Sequence, residues 1–150
     1  LYENFEKRAR VKFAFGPNAG VSGRIGFAAG TNSMLLRGTR GAVALTKKTF
    51  DVRDFEGVKI FFRFRTFQVK KGDSFFVEYA LNGTNKWVRW RTITFGDEFS
   101  TNNKWMKFDG SKSVSNVRSM RVRFRSRYGT LKKRLYIDRV RLQGILPALP

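Results

Sequence analysis

The sequence contains neither cysteine nor histidine. Their absence removes disulfides, thiol nucleophiles, zinc sites of the Cys/His kind, and the Ser-His and Cys-His pairs of nucleophilic catalysis. No apolar run approaches the roughly 20 residues that a membrane-spanning helix requires. Helical periodicity is absent throughout. Acidic residues are scarce, with eleven Asp and Glu against thirty-one Lys and Arg. The remaining carboxylates form no persuasive catalytic pair. Asp73 and Glu78 lie five apart on a turn and a strand, and Asp97 and Glu98 are adjacent in a loop, whereas glycoside hydrolysis needs two carboxyls about 5–9.5 Å apart in a cleft. The sequence therefore reads as a non-enzyme.

What is present is a basic, aromatic-rich chain of single-domain size. A chain of 150 residues buries about 70% of its unfolded surface on folding. Apolar residues make up 41% of it, with 16 Phe, which is too much for a disordered basic tail and enough for an aromatic core. The formal charge of +20 promotes association with a polyanion, because self-repulsion of that size is relieved by a counter-polymer. Nucleic acid, sulfated or carboxylated polysaccharide, anionic membrane, acidic protein and negatively charged mineral all satisfy that demand.

Short alternating segments separated by turn residues predict an all-β, two-sheet antiparallel sandwich. Strands are expected near Arg10 to Phe15, Ser33 to Arg37, Val43 to Phe50, Val58 to Phe67, Ser74 to Leu81, Trp87 to Phe95, Trp105 to Phe108, Ser119 to Arg127 and Arg134 to Gln143. Lys70-Lys71-Gly72-Asp73 and Asn82-Gly83-Thr84-Asn85 have hairpin-turn chemistry, with Gly supplying positive φ. Val58 to Phe95 is thus expected to form a three-strand meander, and Ser119 to Gln143 a hairpin turning at Tyr128-Gly129-Thr130. Gly16 to Gly30 reads as a long glycine-rich loop holding one short strand. It lacks the Gly-Lys-Ser/Thr of a phosphate-binding loop and the following helix of a dinucleotide fingerprint. Residues 1–144 are expected to form one domain, followed by an apolar tail over 145–150. The chain begins at Leu1 and not Met, which fits either a trimmed chain or a mature protein whose signal peptide has been removed.

Several stretches resemble the jelly-roll modules of secreted proteins, the group that includes carbohydrate-binding modules and MAM-like domains. Tyr2-Glu3-Asn4-Phe5-Glu6 is similar to their opening Phe-Glu segment. A glycine-rich stretch then leads to Thr31-Asn32-Ser33-Met34-Leu35-Leu36-Arg37-Gly38. Gly72-Asp73-Ser74-Phe75-Phe76-Val77-Glu78-Tyr79 and an Asn-Gly turn follow, and Leu135-Tyr136-Ile137-Asp138-Arg139-Val140 is similar to their close. The resemblance implies a jelly roll, a secreted location and a non-catalytic binding role. It also implies a structural calcium where the first and last segments meet, with Glu6 and Asp138 as ligands and Thr31, Asn32 and Glu3 as contributors. Calcium takes six to eight oxygen ligands; the alternative for Asp138 is a simple pair with Arg.

The sequence departs from those modules in its arginines. Arg121, Arg123, Arg125 and Arg127 alternate with Met120, Val122, Phe124 and Ser126, so the four guanidinium groups share one face in a column with steps of about 7 Å. Arg63 and Arg65, Arg89 and Arg91, and Arg139 and Arg141 repeat the pattern. Any half-exposed strand needs alternating polar residues. Four Arg in register with no Glu opposite them ask for a counterion as well, since like charges across strands destabilise a sheet. Trp87-Val88-Arg89-Trp90-Arg91 places two Trp on opposite faces, one for the core and one for stacking on a ring or on Arg.

The leading functional expectation is an extracellular module in which Arg121, Arg123, Arg125 and Arg127, helped by Arg63, Arg65, Arg89 and Arg91, bind an acidic or sulfated polysaccharide. The second is a self-associating structural protein of a matrix or biomineral, bound to acidic matrix protein or an anionic mineral such as silica. The third is a nucleic-acid binder, for which no recognisable motif is present. Asn82-Gly83-Thr84 is a glycosylation sequon, with Asn82 as acceptor.

Overall fold

The computed structural model describes residues 1–27, 30–37, 41–128, 130 and 132–149. Among these, β1 (Tyr2–Glu3), β2 (Phe13–Phe15), β3 (Ala19–Ser22), β4 (Ser33–Arg37), β5 (Ala42–Thr46) and β6 (Phe50–Asp51) lie in the first third. They are followed by β7 (Gly57–Phe67), β8 (Ser74–Leu81), β9 (Val88–Thr94), β10 (Met106–Ser113), β11 (Ser119–Ser126) and β12 (Arg134–Ile145). Alternation sets each strand's faces. In β11 the buried positions are Met120, Val122, Phe124 and Ser126, with Arg121, Arg123 and Arg125 between them.

Two antiparallel sheets result. Sheet I runs β10-β7-β12-β4-β3 with β1 beside β12, and sheet II runs β2-β5-β11-β8-β9 with β6 beside β11. Phenylalanines join them. Phe62 of β7 meets Phe124 of β11 edge-on at 5.0 Å, and Phe64 meets Phe75 of β8 at 5.2 Å. Such pairs contribute about 0.5–1.5 kcal/mol each beyond their buried area. The expected all-β sandwich is therefore the observed one.

Connectivity differs from the sequence-based expectation in two places. Val58 to Phe95 is not a meander, because β7 lies in sheet I and β8 in sheet II; only β8 and β9 pair as a hairpin. Ser119 to Gln143 is not a hairpin either, because β11 belongs to sheet II and β12 to sheet I. The physical reason is the same in both cases. Consecutive strands with apolar inner faces bury them as well against each other across the interior as side by side, and a link of several residues spans the roughly 10 Å between sheets. The Lys70–Asp73 turn is real, closed by Asp73 N–H donating to Lys70 O at 2.9 Å, but it crosses the end of the sandwich. The Asn82-Gly83 turn does join hairpin neighbours, with φ of 53° and 74°, the two positive values that a type I′ turn needs.

Smaller differences follow local chemistry. Arg8–Arg10 forms a 3-10 turn, so β2 starts only at Phe13. Val43 to Phe50 divides into β5 and β6. β10 extends to Ser113 and β12 to Ile145, where Gly144 and Ile145 pair with Val58 and Gly57. Gly38, Gly129 and Pro150 lie outside the described residues.

Candidate functional site

The outer face of sheet II carries the arginine column. Across the strands, Arg123 of β11 stands between Leu45 of β5 and Glu78 of β8, and Glu78 in turn faces Arg89 of β9. One step along, Arg125 stands between Val43 and Phe76, which faces Thr92. Arg123 and Arg125 each donate from Nε to Glu78 Oε1 at 2.9 Å, and Arg89 Nε lies 3.8 Å from Oε2. The sequence reading that no Glu lies opposite the column is thereby corrected. Burial would raise the Glu78 carboxyl, yet hydrogen bonds from Arg125 and Arg123 hold it below its ordinary value.

Two aromatic rings complete the array. Arg121 and Arg123 lie over Trp87 at 5.1 and 4.5 Å, and Arg89 and Arg125 lie over Phe76 at 3.8 and 4.6 Å. Arg121 Nη2 also donates to Thr84 O at 2.8 Å and Asn85 Oδ1 at 2.9 Å. These contacts hold four like charges in place; stacking of this kind contributes about 0.5–2 kcal/mol per pair, depending on desolvation. Only Nε of Arg123 and Arg125 is engaged among the described residues, which leaves their outer guanidinium donors to a ligand. Arg123, Arg125 and Arg127 line an open depression of about 850 Å³ together with Asn18 and Val43.

Not every predicted residue joins this face. Arg63 and Arg65 are in β7 of sheet I, on the opposite side of the sandwich. Arg91 leaves the outer face because a bulge at Val77/Glu78 sets it opposite inward-facing Val77. Its Nη1 donates to Trp90 O at 2.9 Å. Trp90 is the core tryptophan, 5% exposed, with Nε1 donating to Ser111 O at 3.2 Å, while Trp87 is the outward one. Phe76 and Glu78, which sequence reasoning did not select, are central to the array.

The Glu6 and Asp138 carboxylates occupy a second constellation. Glu6 Oε1 accepts from the N–H groups of Thr31 (2.8 Å) and Asn32 (3.0 Å), and Asp138 Oδ2 accepts from Phe27 N–H (2.9 Å). Burial pushes the Asp138 carboxyl up, hydrogen bonds from Phe27 and Arg139 oppose that shift, and the nearby Glu6 charge adds to it. Neither carboxylate has an ion pair among the described residues, despite the surplus of cations. A Cβ at Gly30 would collide with Glu6 Oε1, and one at Gly26 with Gly30 O, so the glycine loop folds tightly onto the acids. Two neighbouring carboxylates ringed by backbone, with the Arg139 charge only partly offsetting Asp138, could hold a hard cation. Glu3 stands apart, accepting from Phe5 N–H at 2.9 Å and from Lys12 N–H. No group of three or more Asp or Glu converges among the described residues.

No protein-family model and no curated protein matches the chain. Solved structures do. The C-terminal family 22 carbohydrate-binding module of Clostridium thermocellum Xyn10B superposes with a TM-score of 0.68 at 15% identity, covering 100% of this chain and 94% of that one. The first family 22 xylan-binding domain of Paenibacillus barcinonensis Xyn10C gives 0.65 at 14% identity over 99% and 95%. A family 61 module solved with β-1,4-galactotriose gives 0.58 at 9% identity over 88% and 86%. The chain has the jelly-roll β-sandwich fold of carbohydrate-binding modules.

Proposed function

We propose that this domain is a non-catalytic, extracellular glycan-binding module whose sheet II face holds an acidic or sulfated polysaccharide. The observation that carries the reading is the set of four arginines fixed over Trp87 and Phe76, three of them around one carboxylate, Glu78. The shared fold supports glycan binding, since its neighbours are named for xylan binding or were solved with a galactotriose. The arginines favour an acidic ligand. Guanidinium groups lie over both outward rings, where a neutral sugar would stack, and their free donors match carboxylate and sulfate oxygens two at a time. Affinity electrophoresis through gels containing neutral xylan, a polyuronate or a sulfated glucan tests this directly. Retardation by the two acidic polymers and not by xylan is the expected result; retardation by xylan alone overturns the choice of ligand.

A structural calcium between Glu6 and Asp138 belongs to the same reading, with Thr31 and Asn32 beside it. Its role there is to neutralise two like charges and fasten the glycine loop to β12. Asn82 is proposed as a glycan acceptor. Its Oδ1 accepts from Arg118 N–H at 2.8 Å and Ser119 N–H at 3.3 Å, which leaves Nδ2 for attachment on an exposed turn, consistent with secretion.

A further inference from the structure

A second cluster of cations occupies the outer face of sheet I. Arg63 of β7, Lys107 of β10, and Arg139 and Arg141 of β12 line a hollow of about 220 Å³ with the rings of Tyr2 and Phe61. No carboxylate lines it among the described residues. Among the described residues none of the three arginines forms an ion pair, and Lys107 has one exposed contact, with Asp109 at 3.8 Å. Sheet II has Glu78 at the centre of its array; here Asp138 stands opposite Arg63 and attracts Arg139, but its oxygens accept from the Phe27 and Arg139 N–H groups and it forms no ion pair among the described residues.

The three arginines are placed by aromatic rings, and Arg139 by its backbone as well. Arg63 and Arg139 lie over Phe27 at 4.8 and 5.2 Å, and Arg141 lies over Tyr2 at 5.6 Å. Arg139 has a φ of 50° within the register shift between Asp138 and Arg141. A positive φ is uncommon for any residue but Gly, and bulges re-aim side chains where a fold uses them. Here the bulge adds a fourth cation to a hollow that already holds three.

We propose that this hollow is a second anion site, which takes a sulfate or carboxylate group of a polymer chain and makes the domain bivalent. Only the identification of the ligand as a polysaccharide rests on the reading of sheet II; the hollow stands on its own residues. Because the two sites face opposite ways, one molecule joins two polymer chains and does not clamp a single one.

Calorimetric titration with a sulfated tetrasaccharide is the test. The wild-type chain is expected to bind two per molecule, and R63Q/R141Q and R121Q/R127Q one each. With long dextran sulfate, light scattering of the wild type is expected to rise several-fold through cross-linking, and that of either double variant to stay near the sum of its components. A wild-type stoichiometry of one, unchanged in R63Q/R141Q and lost in R121Q/R127Q, overturns the second site and leaves the sheet II reading intact. The reverse pattern overturns the sheet II reading and bivalence with it, and keeps the hollow as an anion site. Bivalence itself is decided by the wild-type stoichiometry even where a variant fails to fold.

Discussion

Glu78 and Arg123 are directly opposed on neighbouring strands, and the Glu78 side chain, only 6% exposed, also receives Arg125 at the same oxygen. One carboxylate thus sets the geometry of the arginine face. In Glu78→Gln the side chain keeps its shape and loses its charge, leaving Arg89, Arg123 and Arg125 without their counterion. Hydrogen bonds to charged groups contribute about 1.5–3 kcal/mol each, so urea denaturation is expected to show a loss of about 2 kcal/mol.

The same residue gives a pH dependence of defined sign. The Glu78 carboxyl is held below its ordinary value of 4.5 in the folded state. Its contribution is therefore present above that pH and is lost as the pH falls through the lower, folded value. The stability difference between wild type and Glu78→Gln is expected to shrink as the pH is lowered from 6 toward 3. Asp138 titrates with the opposite sign but identically in both proteins, so it cancels. A difference that stays constant over this range contradicts the assigned role.

Trp87 and Trp90 are three residues apart and are expected to respond differently to truncation. Trp90→Ala opens the core and costs about 3–5 kcal/mol. Trp87→Ala removes only the platform under Arg121 and Arg123, a loss of about 1 kcal/mol that lowers the melting temperature by about 2–4 °C in a domain of this size. Thermal melts of the two variants measure the contrast.

For the calcium proposal, binding confined to the folded state stabilises it by about 2.7 kcal/mol at one hundred times the dissociation constant. Calcium is expected to raise the melting temperature of EDTA-treated protein, and Glu6→Gln or Asp138→Asn to abolish the rise. No change on adding calcium to the wild type contradicts the site.

The arginine column on β11 was legible because its information is local: a period of two in Ser119 to Arg127 decides which side chains point outward. Strand partnership is not local. Alternation fits β7 and β8 equally well as neighbours in one sheet or as strands facing each other across the core, which is why Arg63 and Arg65 could not be assigned to a face. Phe76 and Glu78 point outward by the same alternation as Ser74, yet their meeting with Arg123 and Arg125 depends on the β8–β11 register. Arg91 is displaced by a bulge that exists only in that pairing context. The Glu6–Asp138 constellation joins the two ends of the sequence, and only the resemblance to known modules pointed to it.

The central claim is that the sheet II arginines bind an acidic polymer and are not merely a solvated face. Arg121 and Arg127 form no ion pair with Glu78 among the described residues, so R121Q/R127Q removes two charges without leaving that carboxylate unpartnered. The most direct measurement is the affinity of this variant and of wild type for a polyuronate, with salt varied across the range in which the Debye length falls from about 10 to 3 Å. The expected result is a melting temperature within about 4 °C of wild type, affinity at least tenfold weaker at low salt, and a shallower dependence on salt. Equal affinity and equal salt dependence of the two proteins would contradict the claim.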